Sequence, residues 1–405
     1  MFRQTAIRHL VFGSGADSVI CADAAACPAL EPLRGRVQAV YIDPPFMTGD
    51  EPEGRRPFGE EGWRLGKPTV AMPGYSDRFP SREAYLAFLR ALTEQARGLL
   101  TDSGLFMLHL DWRVSAHARL LLDEIFGGRC FVNEVIWAYE SGGRSRRTFS
   151  RKHDTILIYG RTPDWRLEPL RAGVPRSSRR PSHMRRGEDA DGRAYRAMVS
   201  GGREYRYYDD DLITPGDVWT DVSHLQQRDP ERTGWPTQKP LKLVRRLLAC
   251  AVREGETAVD LCGGSGTAAA AARGIGARFV TVDAAPAACV TAALRLGLKD
   301  LTLDLPAEEA PAVLEGTLDP AGMMLLTAFD AADPAFPAGG PLDGLTAWAA
   351  GRIRGDVFEA QDTLIRTPRT PALTPMALLR PGEGTPAVAA IDAVNRLRVY
   401  AWEEA

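Results

Sequence analysis

The chain predicts an α/β fold in which a Rossmann-like sheet carries helices on both faces. Three observations predict it. Short apolar strands alternate with helical stretches and end in acids at Asp23, Asp43, Asp111, Asp260 and Asp283. A Gly-rich turn, Cys262-Gly263-Gly264-Ser265-Gly266-Thr267, joins one of these strands to an Ala-rich helix. Asp283 closes the following strand roughly 20 residues after the glycines, the spacing at which such a unit recognises a ribose. With 405 residues the chain can hold one large domain with additions or two to three modest ones, and 44% hydrophobic with 25% charged residues is a globular composition.

The first strand, 19–23, leads into a helical stretch over 24–30, and a second apolar run, 37–42, stops at Asp43-Pro44-Pro45-Phe46. Two prolines cannot continue a ladder, so the chain leaves this strand in a stiff turn. That turn places an acid, fixed carbonyls and an aromatic face together. The group suits a planar, amine-bearing ligand: Asp43 accepts N–H bonds, the Asp43 or Pro44 carbonyl accepts another, and Phe46 stacks. Alone, the tetrapeptide is equally readable as a strand terminator with a capping acid.

A polar loop over 50–74 is long enough to face a ligand. Ser81 N-caps a helix with apolar residues Tyr85, Leu86, Phe88, Leu89, Leu92 and Leu99 at helical spacing. A buried strand over 105–111 and a helix over 114–126 follow, then strands over 131–139 and 155–159. His109 and Asp111, at a strand end, read as hydrogen-bonded structural groups.

The alternation breaks over 141–217. Arg144, Arg146, Arg147, Arg151 and Lys152 form one basic cluster, and Arg176, Arg179, Arg180, Arg185 and Arg186 form another. Tyr195, Tyr205, Tyr207 and Tyr208 then interleave with arginines. The net charge is only −2, yet residues 141–206 carry 17 Lys/Arg against 7 Asp/Glu. A strongly basic segment in a near-neutral chain, mixed with aromatics, is the pattern of a nucleic-acid-binding insertion.

Regular structure resumes at Thr237-Gln238-Lys239-Pro240 with a helix over 241–252, and the Gly-rich turn follows Asp260. Its glycines permit close backbone approach, and the helix behind it offers free N–H groups. By itself this unit serves NAD, a nucleotide or S-adenosylmethionine. From residue 301 onward the segment is net acidic, Pro and Gly are frequent, and only 390–402 alternates clearly. We read it as a small α+β accessory domain.

The six cysteines are scattered without a CxxC pair or a nearby histidine cluster, so no metal site is expected. No leader pattern and no run of about 18 apolar residues occurs, so a cytoplasmic protein without a membrane partner is expected.

Taken in order, Asp43-Pro44-Pro45-Phe46, the basic insertion, Thr237-Gln238-Lys239-Pro240 and the turn from Asp260 to Thr267 resemble the beta class of amino-methylating DNA methyltransferases. Ala22-Asp23, the stretch from Tyr75 to Phe88, the block from Asn133 to Tyr159, Asp217 to Asp221 and Glu231 to Pro240 extend the likeness across residues 9–298. The resemblance divides the chain into a catalytic half (1–140), a target-recognition insertion (141–217), a cofactor-binding half (218–300) and the accessory part (301–405).

It implies S-adenosyl-L-methionine held by Asp23, Thr237, Lys239, Asp260, Cys262, Gly264, Ser265, Gly266, Thr267 and Asp283. It makes Asp43 to Phe46 the catalytic stretch. Double-stranded DNA would be held by Arg144, Arg146, Arg147, Arg151, Lys152, Arg179, Arg180, Arg185 and Arg186. The acid-Pro-Pro-aromatic form implies adenine N6 as acceptor, with cytosine N4 as the alternative. A homodimer and a companion restriction endonuclease belong to the same expectation. Cys262 stands where the family usually has Phe, and Leu261 where it has Pro. That departure motivates a further alternative, a DNA-binding protein that keeps the fold with an impaired cofactor site.

Overall fold

In the computed structural model, which describes residues 1–140, 145–178 and 183–403, one sheet of fifteen strands runs through the molecule. The strands are β1 Phe2–Thr5, β2 His9–Phe12, β3 Asp17–Cys21, β4 Val37–Ile42, β5 Leu100–Leu110, β6 Phe131–Ala138, β7 His153–Gly160 and β8 Val218–Trp219. They continue with β9 Thr257–Asp260, β10 Arg278–Asp283, β11 Leu301–Asp304, β12 Leu345–Arg354, β13 Val357–Ile365, β14 Thr385–Asp392 and β15 Leu397–Trp402. Their spatial order is β1-β15-β14-β12-β13-β2-β11-β3-β10-β9-β4-β5-β7-β6-β8. The central six, β11, β3, β10, β9, β4 and β5, are mutually parallel. Parallel strands point their carboxyl ends to one edge, and there Asp23, Asp283, Asp260 and Asp43 collect from four adjacent strands.

The helices are α1 Gly59–Leu65, α2 Arg82–Leu99, α3 Ser115–Phe126, α4 Leu241–Ala251, α5 Thr267–Arg273 and α6 Pro286–Arg295. Successive residues of a strand face opposite sides of a sheet, and the two cores follow that parity. Ala39, Tyr41, Leu105 and Met107 pack with Leu243 and Leu247 of α4, the alanines of α5 and Val290 of α6. Val40, Ile42, Phe106 and Leu108 pack with Tyr85, Leu89 and Leu92 of α2 and Leu121 and Leu122 of α3. Helices therefore cover both faces, as expected. Each buried Leu adds about 1.5–3 kcal/mol. The Ser81 hydroxyl accepts the Ala84 N–H at 3.2 Å and caps α2, a bond worth about 1 kcal/mol.

Two expectations need correction. The helical stretch over 24–30 is a pair of 3₁₀ turns, Ala24–Ala26 and Pro28–Leu33. Pro28 and Pro32 lack the N–H that an α-helix requires there. The α+β character expected for 301–405 is also replaced: among the described residues no helix follows Arg295. Strands β12 to β15 and β1 form antiparallel ladders, and β13 joins β2 in parallel, so the C-terminal strands extend the central sheet. A three-stranded sheet, Val313–Leu318, Met323–Asp330 and Met376–Leu378, closes over Trp348 and Tyr400.

This C-terminal unit grips the 50–74 loop. Phe58 and Val70 pack on Ala393 and Val394. The Asn395 amide donates to Met72 Sδ (3.0 Å), to the Ala287 carbonyl (3.1 Å) and to Thr291 Oγ1 (2.6 Å).

Within 141–217, β7 is a strand of the main sheet, so the insertion proper leaves after Gly160 and returns at Val218. It contains a three-stranded antiparallel sheet, Arg185–Glu188, Ala194–Ser200 and Arg203–Tyr208. Among the described residues no helix is long and apolar enough to cross a membrane.

Candidate active site

At the end of β4 the backbone passes through Asp43, Pro44, Pro45 and Phe46 and then turns at Met47, whose φ is +59°. Asp77 stabilises that turn. Its carboxylate accepts the Met47 N–H at 2.7 Å and the Thr48 N–H at 3.1 Å. The Tyr85 hydroxyl donates to the Pro45 carbonyl at 2.9 Å. Nothing among the described residues donates to the Pro44 carbonyl, which stays available as an acceptor. Beneath Phe46 lies the imidazole of His109, with centroids 6.2 Å apart and planes 24° apart. His109 is fully buried between Tyr41 Oη (2.9 Å) and Asp154 Oδ2 (3.0 Å), the structural role its position suggested. Asp111 accepts the Arg113 N–H at 2.8 Å and acts as a local cap.

Lys239 reaches the acid from across the pocket. Its Nζ is 2.8 Å from Asp43 Oδ1 and 4.6 Å from the centre of the Phe46 ring. Burial pulls the ammonium down, but the charges of Asp43 and Asp154 outweigh it and hold Lys239 above its ordinary value. The segment before it is self-braced. Gln238 Oε1 accepts the Thr233 N–H and hydroxyl, both at 2.9 Å, and its amide donates to the Glu231 carbonyl at 2.8 Å. The Glu231 carboxylate accepts the Leu241 N–H and the Arg295 guanidinium, both at 2.8 Å. Thr237, at φ +55°, bonds the Tyr75 hydroxyl at 3.0 Å.

The Gly-rich turn forms the neighbouring wall. Gly264 and Gly266 have φ of +48° and +71°, and a Cβ on Gly266 would sit 2.7 Å from Ala292 Cβ, so a side chain there would force the turn away from α6. Asp283 fixes the turn with one oxygen on the Gly264 N–H and the other on the Ala285 N–H, each at 2.8 Å. A carboxylate has about four lone-pair sites, so both oxygens can still accept hydroxyls. Ser265 Oγ, Thr267 Oγ1 and the Arg295 guanidinium form a cluster under the turn.

Burial raises the carboxyl of Asp283 above its usual range. Asp260, deeper in the fold, is pushed up to about 8, first by burial and then by repulsion from Asp43 and Asp283, against the Cys262 N–H bond. Burial likewise raises Cys262 well above an ordinary thiol, which leaves it a neutral wall rather than a nucleophile.

Asp23, Asp43, Pro44, Pro45, Phe46, Thr237, Lys239, Asp260, Cys262, Gly264, Ser265, Thr267 and Asp283 all line one pocket of about 500 Å³, the size of a site for a drug-sized ligand. Gly266 lies off its wall and only turns the backbone. Asp23 also caps the first 3₁₀ turn through the Ala25 N–H. Among the described residues no group of His, Cys, Asp or Glu is placed to hold a metal.

The basic residues divide into two kinds. Arg144, Arg179 and Arg180 lie outside the described residues. Arg146, Arg147 and Arg151 are exposed, and among the described residues no acid pairs with them, whereas Arg185 is bonded to Glu204 at 2.7 Å. Arg193, Arg196 and Arg206 are likewise paired with acids of the insertion, Asp210, Asp209 and Glu204. Asp77, Tyr85, Glu231 and Arg295 were not anticipated as site residues. Asp77 and Glu231 sit inside stretches that carried the resemblance; Arg295, at a helix end, gives no local signal.

A helix-flanked parallel sheet with its ligand pocket at the carboxyl edge, an acid about 20 residues after a Gly-rich turn and the turn itself are the features of a nucleotide-binding α/β fold. The chain belongs to the N6/N4 DNA methylase family, whose model matches residues 37–293; S-adenosylmethionine is the cofactor of that family. The chain is similar to the type II methyltransferase M.EcaI of Enterobacter cloacae, at 22% identity over 61% of this chain and 62% of that protein. It is similar to the type II methyltransferase M.BglII of Bacillus subtilis, at 26% identity over 52% of this chain and 58% of that protein.

The Mod subunit of the type III restriction-modification enzyme StyLTI of Salmonella typhimurium is 30% identical over 33% of this chain and 22% of that protein. The chain thus spans from about a fifth to three fifths of these relatives. Among solved structures, the cytosine-N4-specific PvuII DNA methyltransferase aligns at 12% identity and TM-score 0.46, covering 72% of this chain and 90% of that one.

Proposed function

We propose that this chain is a beta-class methyltransferase that transfers a methyl group from S-adenosylmethionine to the exocyclic amine of a base flipped out of double-stranded DNA, with adenine N6 as acceptor. One observation carries the reading: the acid-Pro-Pro-aromatic stretch and the Gly-rich turn with Asp283 are walls of the same pocket. The residues fit the cofactor, since Asp283 keeps acceptor capacity for ribose hydroxyls after fixing the turn, and the turn presents backbone where a side chain would collide.

When bound, S-adenosylmethionine supplies an electrophilic methyl carbon on a cationic sulfur. The chain's residues act on the acceptor. Phe46, supported from below by His109, offers the stacking face for the extruded base. Asp43 and the Pro44 carbonyl each accept an N–H of the exocyclic amine, drawing its lone pair out of conjugation and toward the methyl carbon. Asp43 would also stand where the amine sheds the one proton it loses on being methylated. Lys239 orients the Asp43 carboxylate from the opposite side.

Adenine is preferred because Asp43-Pro44-Pro45-Phe46 resembles the adenine enzymes more than the Ser-Pro-Pro form common among cytosine-N4 enzymes. The altered residue Cys262 leaves the hydrogen bonds of the turn in place, which supports turnover over an impaired cofactor site. The Mod-subunit relative supports a companion restriction endonuclease, and such a system works in the cytoplasm. Incubation of DNA with the protein and methyl-labelled cofactor, followed by mass spectrometry of the nucleosides, is expected to place label in N6-methyladenine. Label in N4-methylcytosine alone overturns the adenine assignment. Asp43→Ala should abolish the label while leaving DNA binding in place.

A further inference from the structure

Flipping a base leaves a gap in the duplex stack, and an apolar or aromatic side chain wedged between base steps can occupy it. Resting on the methyltransferase reading above, we propose that Phe149 is this side chain: it enters the duplex and fills the space the target base vacates. Single exposed apolar residues are common, so exposure alone would say little. Phe149 is 99% exposed, and its position gives that exposure a use.

It lies in the described part of the loop between β6 and β7, which opens on the pocket edge. The stem of this loop is closed by the Tyr139 N–H on the Lys152 carbonyl at 3.0 Å. Two residues beyond Lys152, Asp154 bonds both Tyr139 Oη and His109 Nε2 at 3.0 Å, and His109 carries Phe46. The loop and the base-stacking face therefore share one buried support.

The loop is also preshaped. Ser145 Oγ accepts the Arg147 and Thr148 N–H groups at 3.3 and 3.0 Å, and the Ser145 N–H donates to Ser150 Oγ at 3.2 Å. This tight turn leaves Phe149 on the outside. Arg146 and Arg147 before it are exposed and, among the described residues, without acidic partners, so they can meet phosphates beside an inserted ring. Arg151 after it lies 3.7 Å above the Trp112 ring, which ties the loop to the end of β5. That contact leaves Trp112 40% exposed, so Phe149 is the more open of the two rings. The tyrosines of the insertion sit in a sheet where Arg185, Arg196 and Arg206 are ion-paired with Glu204 and Asp209, a poorer approach to a polyanion than Arg146 and Arg147, which no acid pairs among the described residues.

The test compares wild type, Phe149→Ala and Phe149→Trp in two assays. One measures labelled methyl transfer to genomic DNA from a host lacking this activity. The other measures binding, with S-adenosylhomocysteine present, of a duplex with one abasic site against the same duplex intact. Wild type should prefer the abasic duplex. Phe149→Ala should lose that preference and transfer roughly tenfold more slowly, the scale of one lost aromatic stack, while Phe149→Trp keeps both. Equal transfer and equal preference in wild type and Phe149→Ala overturn the proposal. So does a change of oligomeric mass in Phe149→Ala with DNA binding intact, which places the ring between copies of the chain. A wild type that neither binds DNA nor transfers label removes the methyltransferase reading itself, and the role of Phe149 with it.

Discussion

The ion pair between Lys239 and Asp43 offers the sharpest test of how the catalytic acid is held. The two charges are 2.8 Å apart and their side chains are only 10% and 20% exposed. At an effective dielectric constant of about 20 the attraction at this distance is about 6 kcal/mol. Desolvation of two largely buried ions cancels most of it, so the net coupling should be about 1–3 kcal/mol. Lys239→Met alone leaves the carboxylate without its partner, and Asp43→Asn alone leaves a buried ammonium. Each single variant should therefore be destabilised, and the double variant should be destabilised by less than their sum. The assay is a double-mutant cycle from denaturant midpoints followed by tryptophan fluorescence. Free energies that add to within about 0.5 kcal/mol would refute the coupling and, with it, the assignment of Lys239 as the residue that orients Asp43.

Asp283→Asn should weaken S-adenosylmethionine binding by roughly 10- to 100-fold, the value of a charge-assisted hydrogen bond, because an amide NH₂ cannot accept from both the Gly264 and Ala285 N–H groups and the ribose; an unchanged Kd in calorimetry would contradict it. Asp260 is raised from 3.8 to about 8, so the folded chain keeps a proton that the unfolded chain releases. Its contribution to stability is full below about pH 4 and is lost as pH rises to about 8. Asp260→Asn should flatten this decline in melts across that window, and parallel curves would exclude Asp260 as its source. Arg147→Gln should reduce the salt slope of DNA binding by about 0.9, one phosphate's worth. Arg185→Gln should move the slope less, since Arg185 shares the Glu204 carboxylate with Arg206; equal losses would show that the pairing does not hold on DNA.

The parts of the fold set by local rules could be read from the residues. β4 begins and ends where its apolar run does, because Asp43 and two prolines stop the ladder. α2 starts after Ser81, whose hydroxyl caps it. The pocket could be read because parallel topology gathers strand-end acids, whichever helices intervene. What stayed hidden depends on partners far apart in sequence. The Asp77 clamp on Met47 and Thr48 spans thirty residues of intervening chain, with no local signal to mark it. The pairing of Arg185 with Glu204 needs the fold of the three-stranded sheet, so a count of charges overstated how much of the insertion is open to phosphates. Strand β12, Leu345–Arg354, is rich in Ala and buried on both faces through much of its length, so it shows none of the polar alternation that marks an edge strand.

The ladder between β2 and β13 also has a practical side. It is made of four residue pairs, His9 to Phe12 against Val357 to Ala360, and it binds the acidic C-terminal strands to the sheet that carries the site. A shortened gene that stops near residue 300 would strip β2 of both neighbours, β13 and β11, and leave its hydrogen-bonding edge bare. Bare strand edges recruit one another. Such a fragment should go to inclusion bodies rather than yield a minimal catalytic core, so efforts to trim this protein for crystals or fusions should begin at the loops of the insertion.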